Sequence, residues 1–303
     1  FTVLIGANCS YYNRIVARKN LVDGATAYKE RKFDRAEQLF RAAVAIDPEG
    51  QTLEGRTGQL FLARTLHSQF ISNRKDKPKA EDAIEQYKKV LATDPNDQSS
   101  FKAVVSLLEN VERKDEALQW ITERANNQNI KPEYRAEAFT SLAARQYSCA
   151  NDISDVDPVK KTVKKDGKDV YQFTKPEDPA VFEKLKQCTE EGLKLVEQAL
   201  NLQPSEIAEM KNLDLKSMTP QQITEKQDLL RIFSSATSYK ANLLYQKMRI
   251  AEMDGNEQAK NDFKAQGDAA RDVFKGLNET EKNMETEKES RKKAEEEKSN
   301  KQQ

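Results

Sequence analysis

The feature that most constrains this chain is that it repeats itself. Residues 33–48 read FDRAEQLFRAAVAIDP and residues 80–95 read AEDAIEQYKKVLATDP. Each has a small alanine, an aromatic residue four positions on, an apolar pair further along and a closing Asp-Pro. Ala36, Phe40, Ala43, Val44, Asp47 and Pro48 therefore match Ala83, Tyr87, Val90, Leu91, Asp94 and Pro95. KDEALQWITERA continues the series with Ala117 and Ile121, and Ala117 stands 34 residues beyond Ala83. TEEGLKLVEQALNLQP puts Gly192, Val196, Ala199, Leu200 and Pro204 in the same slots. A period of this length marks an array of stacked units, each too small to bury its own apolar face.

The slots have a physical reading. The small residue lets a second helix come close to the first. The aromatic four positions later lies on the same helix face and fills the space beside it. The closing proline stops the helix. On these residues, joined by Gly24, Ala27, Tyr28 and Phe33 ahead of the first copy, the chain resembles the tetratricopeptide repeat family. That resemblance implies an all-α, right-handed superhelical solenoid of about five helical hairpins. The repeats are expected at about residues 17–50, 52–97, 98–130, 133–204 and 219–277, the last as a capping helix pair.

Composition agrees with long helices. Glycine (10) and proline (9) are scarce, and strong helix formers dominate. Fifty basic residues balance fifty acidic ones, and no domain carries the basic excess that duplex binding needs, so nucleic acid is not an expected partner.

The fourth repeat is interrupted over residues 150–178. Within that insertion TVKK-DG-KDVYQF sets Asp-Gly between two β-prone runs, which predicts a small hairpin on the rim. Asp178-Pro179 predicts the next helix start, and Thr219-Pro220-Gln221-Gln222 reads as a capping box before a long helix. Residues 278–303 are almost free of apolar side chains. They read as a solvated, fraying helix or a disordered tail, with a docking tether as the sharper alternative.

The chain begins at Phe1 rather than methionine, so it reads as processed or as part of a longer one. Residues 1–16 form an apolar segment. FTVLIGANC looks like the end of a signal-peptide apolar region followed by a cysteine, which makes Cys9 a candidate lipidation site; the alternative is a buried or free thiol. FTVLI also reads as a β-prone run that could dock on a second copy. Cys149 ends the first helix of repeat four and Cys188 opens the second, so antiparallel packing brings them into reach of a disulfide; two unpaired cytosolic thiols are the alternative.

Catalytic chemistry has no foothold. The single histidine, His67, can build neither a zinc site nor a Ser-His-Asp set, and there is no phosphate loop, Gly-x-Gly-x-x-Gly or Cys-x-x-Cys. No catalytic residue, metal or cofactor is expected. The resemblance implies instead that first helices line a concave groove for partner peptides or proteins. Mapped by repeat slot, its candidates are Arg18, Tyr28, Lys29, Lys102, Glu109 and Tyr147. Leu21 and Ala25 stand where the family's carboxylate clamp has lysine and asparagine, so that version is not implied. The whole resembles bacterial extracytoplasmic tetratricopeptide lipoproteins. Their properties imply a membrane-associated scaffold in the periplasm or at the cell surface. A homo-oligomeric structural subunit and a cytosolic adaptor are the alternatives.

Overall fold

The computed structural model describes the backbone of residues 4–301 and the side chains of residues 11–297. It is all-helical apart from one two-stranded sheet. The chain divides into two units, up to Trp120 and from Ile121, with the boundary inside one helix.

The first unit holds α1 (Leu4–Lys29), α2 (Phe33–Val44), α3 (Leu53–Ser72), α4 (Lys77–Thr93), α5 (Gln98–Asn110) and the start of α6 (Lys114–Asn126). The repeat slots carry its core. Ala36, Ala83 and Ala117 are fully buried, as is Phe40. Gly24 leaves room for that ring: a Cβ built there would stand 2.7 Å from Phe40 Cε1. Asp47 does more than precede a stop. Its carboxylate accepts from the Gln51 and Thr52 amides and the Thr52 hydroxyl (3.1, 2.7 and 2.7 Å), while Thr52 Oγ1 caps α3 through the Gly55 amide. The closing Asp-Pro thus also shapes the entry to the next repeat.

Glu37 of α2 joins two repeats. It accepts from Lys79 of α4 (2.7 Å), Gln69 of α3 (2.9 Å) and Arg41 (2.9 Å). Burial pushes its carboxyl up, but Lys79, Gln69 and Arg41 together outweigh this and hold it below the ordinary value. Asp97, the cap of α5, is likewise raised by burial and lowered further by the Ser100 and Ser99 hydrogen bonds. A carboxyl whose folded pKa is depressed binds its proton more readily in the unfolded chain, so stability rises with pH through this window. The contribution is complete above the unfolded carboxylate range near pH ~4 and is lost as pH falls through the lowered folded values. The urea midpoint of this unit, followed by Trp120 fluorescence, is expected to drop between pH 6 and pH 3. Glu37→Gln should flatten that dependence; an unchanged slope contradicts the assignment.

The second unit holds α7 (Pro132–Ser154), β1 (Lys160–Lys165), β2 (Lys168–Phe173), α8 (Pro179–Leu200), α9 (Glu206–Glu209), two 3₁₀ turns, α10 (Pro220–Met253) and α11 (Glu257–Lys301). The hairpin forms as expected, in the register Lys165↔Lys168 to Lys160↔Phe173. Asp166 (φ 53°) and Gly167 (φ 76°) both occupy the left-handed region that a type I′ turn requires. Its root is docked: Val159 and Phe173 pack with Ala150, Phe182, Leu185, Cys188, Ile250 and Met253. Cys149 and Cys188 are joined by a disulfide beneath it, Cα–Cα 6.1 Å. Gly192 keeps the small-residue slot, because a Cβ there would meet Leu243 of α10 at 2.8 Å. The capping box at Thr219 and Gln222 is present.

One turn recurs in pairs whose sequences look unalike. α1 ends with Arg31 at φ 59° and the Lys32 amide bonded to the Ala27 carbonyl; α5 ends with Glu112 at φ 68° and Arg113 bonded to Leu108. α10 ends with Gly255 at φ 69° and Asn256 bonded to Ala251. This is the same six-to-one Schellman closure each time. The last pair, weakest by residue pattern, therefore turns as the first and third do.

Two expectations need correcting. Residues 1–16 were expected as a separate segment, with FTVLI β-prone; Leu4 and Ile5 instead begin α1, which runs unbroken into the first repeat helix. Phe1, Thr2, Val3 and the Cys9 side chain lie outside what is described. The charged C-terminal stretch is docked as far as Arg291, and only residues 292–297 form a solvated helix. α11 continues to Lys301, with Met284 fully buried. Glu281 accepts from Arg231 (2.6 Å), Glu285 from Gln227 (2.7 Å), and Arg291 donates to the carbonyls of Leu215 and Met218. The cause is the length of α10, 34 residues, whose first half presents Ile223, Leu230 and Phe233 for cover. Met284→Ala is expected to destabilise the second unit by about 2–4 kcal/mol, read as a lowered urea midpoint by circular dichroism. A loss within about 0.5 kcal/mol, the surface range, would restore the solvated-tail reading. Among the described residues no helix is long and apolar enough to cross a membrane.

Candidate partner-binding face

In the first unit the solvent sides of α1 and α3 share a spacing. Tyr11, Arg18, Val22 and Lys29 are separated by seven, four and seven residues, and so are Leu53, Leu60, Arg64 and Ile71. At 3.6 residues per turn each set lies on one stripe. The apolar members at the stripe ends and on α1 are unusually open: Tyr11 is 70% exposed, Val22 63%, Leu53 64% and Ile71 53%. Leu60 and Arg64, at the middle of the α3 stripe, are half-buried. Between the stripes the two helices are clasped. Arg14 and Arg18 reach the buried carboxylate of Glu54 at 3.3 and 3.2 Å, and the Tyr28 hydroxyl meets that of Ser68 at 3.0 Å. Arg64 lies over the Phe61 ring (5.6 Å) and near enough to Asp97 to help lower its pKa, after burial and the serine hydrogen bonds. Arg74, in the loop after α3, reaches Asn110 at the end of α5 at 2.5 Å. Lys102 and Glu109 stand exposed on α5, seven residues apart.

The six residues named from repeat slots thus fall into two groups. Lys29, Lys102 and Glu109 are exposed, and Arg18 is exposed while also held by Glu54. Tyr28 and Tyr147 are half-buried between helices. Tyr28 sits edge-on to Phe33 at 5.5 Å, and Tyr147 packs on Tyr239 of α10 at 5.9 Å. Sequence reasoning missed Leu53, Leu60, Arg64 and Ile71, because it mapped no slot in the second repeat. Their spacing matches that on α1 and was the available signal. His67 packs edge-on to Tyr87 (6.0 Å), and burial, helped by Arg74, lowers its pKa.

The second unit has an open cleft of about 580 Å³ between the end of α8, α10 and α11, lined by Leu200, Leu244, Ala269 and Val273 with Lys240 and Gln203 at its edge. Among the described residues no group of His, Cys, Asp and Glu is arranged to hold a metal ion.

Helical hairpins with a shared small-residue slot and a recurring closing turn make this an all-α protein of repeated helical hairpins, a fold like that of tetratricopeptide repeat proteins. No family model and no curated protein matches the chain. Among solved structures it is similar to pilF of Pseudomonas aeruginosa, with 18% identity over 84% of this chain and 91% of that one and a TM-score of 0.33. It is also similar to a tetratricopeptide repeat protein from Parabacteroides merdae (12% identity, 88% and 98% covered, TM-score 0.34). A Bacteroides ovatus protein described as protein-binding is a further likeness (14% identity, 82% and 98% covered, TM-score 0.28). These superpositions are loose, and the fold assignment stands on the packing described above.

Proposed function

We propose that the protein is a non-catalytic scaffold that holds a partner peptide or protein on its first-helix face. The observation that carries this is the pair of matched stripes, with open apolar residues set among Arg18, Lys29, Arg64 and Lys102. A single solvent-exposed valine or isoleucine is unremarkable, but repeated apolar positions rimmed by charge suit an extended or helical ligand. The expected ligand presents apolar anchors flanked by carboxylates. A photo-cross-linker placed at Ile71 in the native host should capture a discrete species, and Val22→Asp with Lys29→Glu should abolish that capture. The same linker at Glu85, on the solvent side of α4, should capture nothing. Equal capture at both positions would sink the reading.

The Cys149–Cys188 disulfide supports an oxidising compartment, hence a bacterial periplasm or cell surface rather than the cytosol. Membrane association through a lipidated Cys9 belongs to the same proposal. A diacylglyceryl mass on Cys9 in native protein is the expected finding, and an unmodified thiol there removes the anchor. A structural role in a homo-assembly is favoured by one observation: Tyr11, Tyr12 and Ile15 are exposed along the first half of α1. Light scattering of the chain with and without residues 1–9 separates the two, since a monomer in both leaves only the scaffold.

A further inference from the structure

The β-hairpin carries charge that the rest of the protein does not answer. Its strands alternate, so Lys161, Val163 and Lys165 share a face with Lys168, Val170 and Gln172. That face holds no carboxylate. Lys161, Lys165 and Lys168 are exposed and make no ion pair among the described residues, in a chain whose fifty positive and fifty negative charges cancel. The opposite face is different. There Lys160 pairs with Asp155 (2.7 Å) and covers the Tyr171 ring (4.1 Å), and Lys164 stands across from Asp169.

The backbone is equally unanswered on one side. Lys165 and Lys168 flank the two-residue turn and form its hydrogen-bonded pair. Pairs alternate from there, so Val163↔Val170 and Lys161↔Gln172 also face inward. The N–H and C=O groups of Thr162 and Lys164 consequently lie on the outer edge of β1, where no described residue bonds them. The outer edge of β2 is engaged at its root, because the Phe173 amide donates to Glu252 at 3.3 Å.

We propose that the outer edge of β1 is a docking site for an extended acidic segment of a partner protein, added as a third strand. The Thr162 and Lys164 backbone groups would supply its hydrogen bonds. With a side-chain period of two, the added strand places carboxylates beside Lys161 and Lys165 and an apolar residue beside Val163, a pattern of acidic–x–apolar–x–acidic. A lipid surface would satisfy the lysines but not the strand edge, so the unmet backbone groups favour a peptide. Lysines can also serve only to keep an edge from pairing, and the test separates that account. This site is distinct from the first-helix face and stands or falls without it.

The experiment uses the full chain and a labelled, end-capped peptide containing Glu-Thr-Val-Thr-Glu, followed by fluorescence anisotropy. Saturable binding is expected. It should weaken about tenfold or more in the Lys161→Glu/Lys165→Glu variant and with rising salt. N-methylation of the peptide amides that face the edge should abolish it. Hydrogen exchange at Thr162 and Lys164 should slow when the peptide is bound. The altered lysines are exposed, and an unchanged circular dichroism spectrum confirms the fold. No saturable binding means the lysines only guard the edge. Equal binding by the N-methylated peptide reduces the effect to bulk charge. Binding to phosphatidylglycerol vesicles without binding to the peptide assigns the face to lipid. Each of these three results overturns the proposal.

Discussion

Phe40→Ala is expected to cost the first unit about 3–5 kcal/mol, the range for emptying a fully buried aromatic site. The ring is completely shielded from solvent and stacks on Phe61 of α3, with centroids 5.4 Å apart and planes at 24°. On its other side it lies against Gly24 of α1, so one side chain fills the space shared by three helices. The void cannot close easily. α1 and α3 are already fixed relative to each other by their own clasp, Arg14 and Arg18 on Glu54 and Tyr28 on Ser68, which limits how far they can shift into the space. A companion substitution sharpens the test. Gly24→Ala sets a methyl against the ring at 2.7 Å, and an aromatic wedged between helices has little freedom to retreat. It should destabilise the wild type yet be tolerated better once Phe40 is alanine, a coupling that a double-mutant cycle measures. Urea unfolding followed by Trp120 fluorescence and by circular dichroism reads both effects. A cost under about 1 kcal/mol for Phe40→Ala would mean that the aromatic slot is not the packing unit of the repeat.

Replacing Cys149 and Cys188 together by alanine is expected to remove about 3–4 kcal/mol from the second unit. The bond spans 39 residues, and a loop of that length restricts the unfolded chain by roughly this amount. Alanine avoids placing a hydroxyl where Cys188 is buried beside Phe173, Phe182 and Leu185. The loss should be concentrated locally. The bond sits under the hairpin root, so amide protection in residues 159–173 should fall before that of α10. Reduction of the native protein should produce the same change in urea midpoint. Unchanged stability on both routes would show that the helix contacts alone hold Ala150, Val159 and Phe182 together, and would weaken the argument for an oxidising compartment.

The features that could be foreseen are those whose cause lies within a few residues. Ala36 with Phe40 and Ala83 with Tyr87 announce themselves because i and i+4 share a helix face. Asp166-Gly167 announces its turn through backbone sterics, and Thr219 with Gln222 closes a capping box within four positions. The disulfide followed from a single further assumption, that α7 and α8 run antiparallel. The residues named from repeat slots for the candidate face are sorted by the structure according to exposure. Arg18, Lys29, Lys102 and Glu109 are exposed, but Tyr28 and Tyr147 point between helices, and Leu53, Leu60, Arg64 and Ile71 were passed over.

What escaped has its cause at a distance. Nothing near Met284 marks it as buried, since its neighbours are Lys, Asn, Glu and Thr. It is covered because α10 is long enough for its first half, with Ile223, Leu230 and Phe233 more than fifty positions earlier, to lie against it. The six-to-one turn at Arg31, Glu112 and Gly255 shares no residue type, because hydrogen-bonded backbone geometry, not side-chain identity, defines it. Local chemistry in the chain settled the helical-hairpin repeat and the inserted β-hairpin. Only the tertiary packing decided which tyrosines are core, where α11 ends its docking and which strand edge stays open, because burial depends on what lies opposite a side chain and the chain alone does not list its own neighbours.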